Sequence, residues 1–325
     1  MATVPVTSEG ALPPRRAQTF WGRLQAGEEL ARLIAVTAGG AIFIITALVF
    51  YELVSQSALS RHQFGWHFLV TSTWDPVAGN FGALPFIYGT IITSVLSLLI
   101  AIPLGVGAAV FLAEMAPIGI SNSLTFLIEL LAAVPSVIFG VLGVFVLIPI
   151  LRSDVVPFLK AVFGDLPIFA GAFYGVSVFS AAIVLSLMIV PFIVSVSREV
   201  LLTVPSDQRE GAMALGSTKW QTTWKVVMPF ASKGIMGSVF LALARALGET
   251  MAVTMVIGNT PQIKASLLAP GYSIAAVIAN EFAEATGDLY QSALIELGLV
   301  LFGVTFVLNG LARIMILTAG RKGAH

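Results

Sequence analysis

The chain has 325 residues, of which 57% are hydrophobic and only 10% are charged, and its mean hydropathy is +0.95. Since about a quarter of the residues in a soluble domain are charged, this composition excludes an ordinary soluble domain and indicates a chain that lies in lipid. The 17 basic and 17 acidic residues cancel, which leaves no net charge to attract nucleic acid, and the absence of cysteine excludes disulfides and thiolate chemistry.

Six apolar stretches are long enough to cross the hydrocarbon core of a bilayer, which requires about 20 residues of helix. They lie at about 33–54, 85–113, 123–151, 173–196, 233–258 and 292–317. Lipid offers the backbone no hydrogen-bond partner, and these runs lack the alternating pattern of a membrane β-barrel strand. We therefore predict an all-α fold class, a polytopic bundle of about six transmembrane helices.

The basic residues predict how the bundle is oriented, because Lys and Arg concentrate on the cytoplasmic side of a membrane protein. Twelve of them flank the spans on one side and four on the other. The side with twelve includes the amino-terminal tail 1–32, the 197–232 connection and the carboxyl-terminal tail 318–325. Both termini and that connection are therefore predicted to be cytoplasmic. The first apolar run exceeds the roughly 7 to 15 residues of a signal-peptide core, so we expect it to be retained as a span.

The segments predicted on the opposite side contain little that points to a reaction centre. His62 and His67 lie in the 55–84 loop, and two histidines are too few for a convincing metal centre, so we expect no metal site. Between the last two spans, residues 273–285 predict a short helix with Ser273 as its N-cap.

The cytoplasmic connection contains the most informative stretch, residues 205–229. Asp207 and Glu210 stand three residues apart, as the two ends of a capping box do, and Gly216 can adopt the left-handed conformation that ends a helix. A second short helix should follow and stop at Pro229. Two short helices joined at a glycine predict a rigid projecting segment that contacts another molecule.

This segment resembles the EAA loop of ABC importer permeases, in which E-A-A is followed by three residues, a glycine, nine residues and I-x-L-P. Every interval matches, at Glu210, Gly211, Ala212, Gly216, Val226, Met228 and Pro229. Val226 and Met228 are conservative replacements of the Ile and Leu of the pattern. Gly211 replaces the central alanine, which softens the helix by up to about 1 kcal/mol. The resemblance implies that Glu210, Gly211, Ala212, Gly216 and Pro229 couple the chain to a partner ATPase. The alternative is an ordinary amphipathic connection packed under the bundle.

The chain is not predicted to hydrolyse ATP itself. Gly211 and Gly216 have the spacing of the glycines in a P-loop, but Ser217 and Thr218 stand where that motif has Lys and Ser or Thr, so the charge that neutralises phosphate is missing. We therefore expect a transporter subunit without enzyme activity or a cofactor of its own, and a partner ATPase that uses ATP and Mg²⁺.

Ionisable residues at bilayer depth are costly and usually functional. Arg245 and Glu249 lie about midway along the fifth span and, being four residues apart, are predicted to share one helical face. They could neutralise each other as a structural pair, or line an aqueous pathway. In a pathway, the guanidinium would bind an oxyanion and the carboxylate would accept its proton. Phosphate at neutral pH retains such a hydroxyl, whereas sulfate has none.

Two further carboxylates are secondary candidates for lining the pathway. Glu129 falls within the third predicted span, too deep for its short side chain to reach the membrane surface easily, and Glu296 begins the sixth. For Glu129 the alternative is a polar contact with Arg245 or with another helix.

Four stretches resemble the PstC-type permeases of phosphate ABC importers: 73–114, 128–143, 245–259 and 293–309. With the EAA loop, the resemblance extends over about residues 70–317, and the sequence RALGET that contains Arg245 and Glu249 is its sharpest element. The sister permease PstA has a similar stretch and remains an alternative identity.

The resemblance implies a type I ABC importer permease of the bacterial cytoplasmic (inner) membrane, which moves inorganic phosphate by alternating access. It also implies that Arg245 and Glu249 act in phosphate transport. The implied partners are a PstA-like permease in a heterodimer, a PstB-like ATPase dimer and a PstS-like external phosphate-binding protein.

Other functions remain open on the sequence. An ABC permease for another oxyanion, such as sulfate or molybdate, would share the loop but lack RALGET. A proton-coupled secondary transporter could use Glu129, Glu249 and Glu296 as a relay, but would not explain the EAA spacing. A membrane-embedded enzyme has no support from motifs such as HExxH or GxSxG.

Overall fold

A computed structural model describes the backbone of residues 28–164 and 166–322. The helices are α1 (Glu28–Gln56), α2 (Ala58–Phe64), α3 (His67–Val70), α4 (Leu84–Met115), α5 (Ile118–Ala132), α6 (Ser136–Phe163), α7 (Val178–Leu202), α8 (Ser206–Ala214), α9 (Lys219–Leu247), α10 (Met251–Ile257), α11 (Ile274–Glu281) and α12 (Asp288–Lys322). Within these ranges the only β-structure is an isolated bridge between Asp75 and Asn80. The predicted all-α fold class is confirmed.

Six helices in the described part of the chain are long and apolar enough to cross a membrane: α1, α4, α6, α7, α9 and the first part of α12, through Leu311. The number agrees with the prediction, and the chain is a multi-pass membrane protein. It divides into two compact units, Met1–Glu52 and Leu53–His325. Helix α1 supplies the described part of the first unit, and the second contains the bundle described below.

Helix α7 lies at the centre of this bundle and packs along α4, with α6, α9 and α10 around it. Ala181, Leu185 and Ile189 of α7 are fully buried in the largest apolar cluster. Small residues let the neighbouring backbones approach closely, which is how membrane helices gain packing energy when lipid is as apolar as the side chains. At Gly105 of α4, an added Cβ would lie 2.7 Å from Ile193 Cγ2 of α7.

A second cluster closes the end of the bundle that we call the far end, formed by residues 64–90 and 272–297. Glu281 of α11 joins its parts, because Oε2 accepts hydrogen bonds from Trp74 Nε1 at 2.9 Å and from the Tyr290 hydroxyl at 2.7 Å. The predicted N-cap is confirmed, since Ser273 Oγ accepts the Ala276 N–H at 3.2 Å. Burial raises the pKa of Tyr272 above its ordinary value.

A third cluster closes the opposite end, which we call the coupling end. Its side chains come from the last turns of α4 and α7 and from the first turns of α9. Leu112, Leu201, Val227 and Ala231 are buried there. Val204, in the loop that contains α8, joins this cluster.

The third span lies at Ser136–Phe163 and not at 123–151, because the apolar run contains two helices. Helix α5 ends at Ala132, and Pro135 precedes α6. Proline disfavours helical geometry in the residue before it, which explains the break in an otherwise continuous apolar sequence.

The fifth span also differs from the expected 233–258. It begins at Lys219 and ends at Leu247, and α10 is a separate helix. The prediction that Pro229 stops a short helix is wrong, because α9 continues through it. The turn before this proline, Thr223–Val227, is a wider π-helical turn. Such a turn accommodates a proline that cannot donate the regular helical hydrogen bond.

Candidate functional site

The loop between α7 and α9 has the conformation that its glycine predicts. Gly216 has a φ of +89°, in the left-handed region, and follows the end of α8. The Ser217 N–H donates to the Ala212 carbonyl at 3.2 Å, and the Gly216 N–H donates to the Met213 carbonyl at 2.9 Å. These two bonds form a Schellman motif, which satisfies the last carbonyls of the helix and sets the direction of the chain after it.

The capping box lies at a different place from the one predicted. The residue that precedes α8 is Pro205, and no side chain caps that helix, so the proposed Asp207–Glu210 box is wrong. The box occurs at the start of α9, where Thr218 Oγ1 accepts the Gln221 N–H at 3.3 Å and Gln221 Oε1 accepts the Thr218 N–H at 3.0 Å. Asp207 lies in the first turn of α8, where a negative charge favours the helix dipole.

The outer surface of this loop is available to a partner. Glu210 and Gly211 are exposed, and no atom lies within 4 Å of the position that a Cβ at Gly211 would occupy. Leu215 is 90% exposed and Trp220 is 57% exposed. Apolar side chains displayed beside charged ones on a rigid projection are typical of a protein contact surface.

Arg209 holds the inner side of the loop, and the sequence reasoning missed this role. Its Nη2 and Nε lie 2.8 and 3.2 Å from Oε1 of Glu114, at the end of α4. It also donates to the carbonyls of Leu201, at 2.8 Å, and Val204, just beyond the last turn of α7. The acidic end of an apolar span and the arginine beside Glu210 were visible in the sequence, but nothing local pairs residues 95 positions apart.

Arg245 and Glu249 do not share one helical face, because α9 ends at Leu247 and Glu249 lies in the break before α10. No ion pair joins them, although both belong to the described residues. Arg245 is exposed in this chain, with its guanidinium carbon 6.0 Å from the Phe192 ring centroid of α7. Glu249 is half-buried, and its Oε1 accepts the Ala252 N–H at 3.2 Å.

The break gives the two charged groups separate supports. An arginine at this distance from an aromatic ring gains a cation–π contact that still leaves its N–H donors free. The Glu249 carboxylate stabilises the first turn of α10 through one oxygen, and among the described residues its other oxygen has no hydrogen bond. Neither charged group is therefore neutralised by an ion pair with the other.

The two secondary carboxylates lie elsewhere. Glu129 is on α5, not on the third span, and its exposed side chain makes no hydrogen bond or ion pair to other described residues. Glu296 of α12 is 5% exposed and borders an apolar groove of about 900 Å³ with Arg61 and Trp66. Its Oε2 has no hydrogen-bond partner in the described part of the chain. Neither residue contacts Arg245.

A profile of the family described as "Binding-protein-dependent transport system inner membrane component" matches residues 101–316. The "Phosphate transport system permease protein PstC" of Mesorhizobium japonicum is 47% identical over 297 residues, covering 89% of this chain and 91% of that protein. The chain belongs to the PstC family of these permeases.

Other PstC-family proteins show that the likeness is broad. The Xylella fastidiosa protein of the same name is 48% identical, covering 79% of this chain and 81% of its own length. The "Probable phosphate transport system permease protein PstC" of Methanocaldococcus jannaschii is 35% identical and covers 86% of this chain and 90% of its own. The predicted resemblance to the PstC family is confirmed.

Solved structures give the same fold. A chain of a bacterial alginate ABC transporter, solved with an alginate-bound periplasmic protein, aligns with a TM-score of 0.57 at 17% identity, covering 90% of this chain and 96% of that one. A second structure of an alginate importer aligns with a TM-score of 0.53 at 17% identity, covering 90% and 98%. The PstC-family chain thus has the predicted ABC importer permease fold.

Proposed function

We propose that this chain is the permease subunit of an ATP-driven importer that carries inorganic phosphate across the bacterial cytoplasmic membrane. The observation that carries the proposal is Arg245, a charge on a membrane-spanning helix that stays exposed among the described residues. A cation on such a helix is stable only against water, an anion or another polar protein surface. The relatives named as phosphate permeases identify the anion.

Phosphate recognition would use Arg245, in the last turn of α9, and Glu249, in the break that follows. Arg245 attracts the anion and donates hydrogen bonds to its oxygens. The Glu249 oxygen that does not bind the first turn of α10 accepts a hydrogen bond from the phosphate hydroxyl. Sulfate has no hydroxyl at neutral pH and cannot donate this bond. One weak site of this kind allows release, so high-affinity capture would belong to a PstS-like external binding protein.

The loop between α7 and α9, residues 203–218, indicates the remaining subunits and is called the coupling loop below. A PstA-like permease would complete the pathway beside Arg245, and a PstB-like ATPase dimer, using ATP and Mg²⁺, would bind the exposed surface of α8 that includes Glu210. Closure of that dimer would switch the spans between their outward-open and inward-open arrangements. Because an ATPase that uses cellular ATP works in the cytoplasm, the coupling end and both termini would be cytoplasmic.

A proton-coupled relay through Glu129, Glu249 and Glu296 has less support. In the described residues these three carboxylates make no contact with one another, and Glu129 and Glu296 lie on different helices from Arg245. The loop geometry would also have no purpose in a transporter that works without an ATPase.

The test is uptake of labelled phosphate by proteoliposomes that contain this chain, a PstA-like permease, the ATPase and the external binding protein. We expect uptake to require ATP and to resist competition by excess sulfate or molybdate. Replacing Arg245 by Gln should lower uptake by at least about tenfold, since hydrogen bonds to a charged group contribute about 1.5–3 kcal/mol. Assembly with the ATPase should persist.

Arg313→Gln provides the matched control, because Arg313 is an exposed arginine just beyond the apolar part of α12. It should transport like the wild type. Transport by this chain alone, equal competition by sulfate, or normal uptake by Arg245→Gln would each contradict the proposal.

A further inference from the structure

Helix α4 reaches the coupling end of the bundle but is not joined directly to the coupling loop. Helices α7 and α9 join the loop directly, through residues 203–205 and 215–218. Helix α4 enters the coupling end from elsewhere in the sequence, so any motion of the loop must reach it through side-chain contacts.

Arg209 is the polar part of that contact. Two nitrogens of its guanidinium donate to one carboxylate oxygen of Glu114. The guanidinium also donates to the carbonyls of Leu201 and Val204, at the end of α7. The Glu114 side chain is 7% exposed and that of Arg209 is 21% exposed, so water screens the pair weakly. Breaking a buried pair by removing one partner is costly, because an uncompensated charge remains.

At its other end, α4 holds the segment that precedes α11. The Ile274 N–H donates to Thr90 Oγ1 at 2.9 Å, and an added Cβ at Gly89 would lie 2.1 Å from the Tyr272 carbonyl oxygen. A shift of α4 must therefore move, or be resisted by, the far end. The chain of contacts runs from the loop, through Arg209 and Glu114, along α4 to Tyr272.

We propose that the Arg209–Glu114 pair is the positioning link that makes α4, and with it the far end, move with the coupling loop. Arg209 is a positioning residue in this scheme, because it would act through α4 and not on phosphate. The inference rests on the proposed function, since it assigns the route by which closure of an ATPase reaches the far side of the membrane.

The experiment uses the reconstituted four-component transporter and measures phosphate moved per ATP hydrolysed. It also measures the stimulation of ATP hydrolysis by the phosphate-loaded binding protein. Arg209→Gln, Arg209→Lys and Glu114→Gln are compared with the wild type. We expect Arg209→Gln to lower both quantities by about tenfold. The free-energy cost of breaking a buried ion pair is large enough to produce a change of that size. Basal ATP hydrolysis should be unchanged.

The other two variants should impair coupling less than Arg209→Gln does. Lysine keeps the charge but cannot reach three acceptors with a planar fork, so Arg209→Lys should be impaired by several-fold. Glutamine in place of Glu114 leaves the Arg209 charge without its counter-charge but still accepts one hydrogen bond, and Arg209 keeps its two carbonyl acceptors, so Glu114→Gln should be milder than Arg209→Gln. The matched control is Glu199→Gln, which removes the 2.8 Å ion pair between Arg198, whose side chain is 14% exposed, and the 67% exposed carboxylate of Glu199. It should stay within about twofold, because both partners belong to α7 and their pair connects no second helix to the loop.

Wild-type coupling in both Arg209 variants would overturn the link. So would failure of both to assemble with the ATPase while Glu199→Gln assembles, since the pair would then serve assembly and not transmission. A wild-type complex that moved no phosphate would instead refute the proposed function, which keeps the two outcomes distinct.

Discussion

Arg245 carries its charge on α9 and remains exposed among the described residues of this chain. Its contact with the Phe192 ring orients the guanidinium without neutralising it. Glu249, held by the first turn of α10, is kept out of a direct ion pair by the break after Leu247. A helix that continued through Gly248 would place the two residues one turn apart, where pairing would compete with an incoming anion.

Gly216 shows a second residue-scale requirement, the left-handed backbone that directs α9 away from α8. A β-branched residue at a φ of +89° strains the backbone by roughly 1–2 kcal/mol. We predict that Gly216→Val inserts and binds the ATPase but moves several-fold less phosphate per ATP, because the loop no longer presents α8 at the same angle. Coupled uptake in proteoliposomes is the measurement.

Gly211→Ala is the control for this substitution. A Cβ there meets no atom within 4 Å, and alanine favours a helix by roughly 0.5–1 kcal/mol over glycine. This variant should retain or slightly improve coupling. If Gly216→Val behaved the same way, the left-handed turn would have no part in transmission.

At the scale of elements, α4 connects the two ends of the bundle. Its first turns hold Tyr272 and Ile274, its middle packs against α7 at Gly105, and its last turn contains Glu114. Two of these contacts depend on the absence of a side chain, because backbone or branched side chains fill the space. Overpacking at such positions displaces whole elements, since protein interiors are close-packed.

We predict that Gly89→Ala destabilises the chain by about 1–3 kcal/mol or more, because the added methyl group meets a backbone oxygen that cannot swing away. A lower midpoint of thermal unfolding in detergent, followed by tryptophan fluorescence, would show it. Gly107→Ala lies on the same helix with open space around it and should unfold at the wild-type temperature or slightly above. Equal midpoints for both variants would contradict this packing.

At the scale of the whole molecule, exposure of a side chain has two different meanings. Phe145 of α6 is 74% exposed and can face lipid tails at no cost, whereas exposed Arg245 cannot. The surface around the break after Leu247 must therefore face water or a polar partner. The chemistry of the exposed side chains thus separates a surface that can face lipid from one that needs water or a polar partner.

Thiol labelling tests this division, because the chain has no cysteine of its own. Only the thiolate reacts with a maleimide, and a thiol in hydrocarbon does not ionise. We predict that Gly248→Cys in the assembled transporter reacts with a membrane-impermeant maleimide and that phosphate slows the reaction. Phe145→Cys should remain unlabelled. Labelling of Phe145→Cys, or none of Gly248→Cys in any nucleotide state, would contradict the assignment.

Local sequence patterns were enough to predict the all-α class, the number of spans, the glycine turn of the coupling loop and the family. Each of these depends on local properties: lipid demands helices of a certain length, and a left-handed turn demands glycine near Gly216. The tertiary structure decided the rest. Pairing of Glu114 with Arg209 depends on how α4 packs against α7, and the breaks at Pro135 and Gly248 decide which charges can act together. Hydropathy averaged over the length of a span does not register such breaks, because the apolar residues on both sides outweigh the few residues at the break.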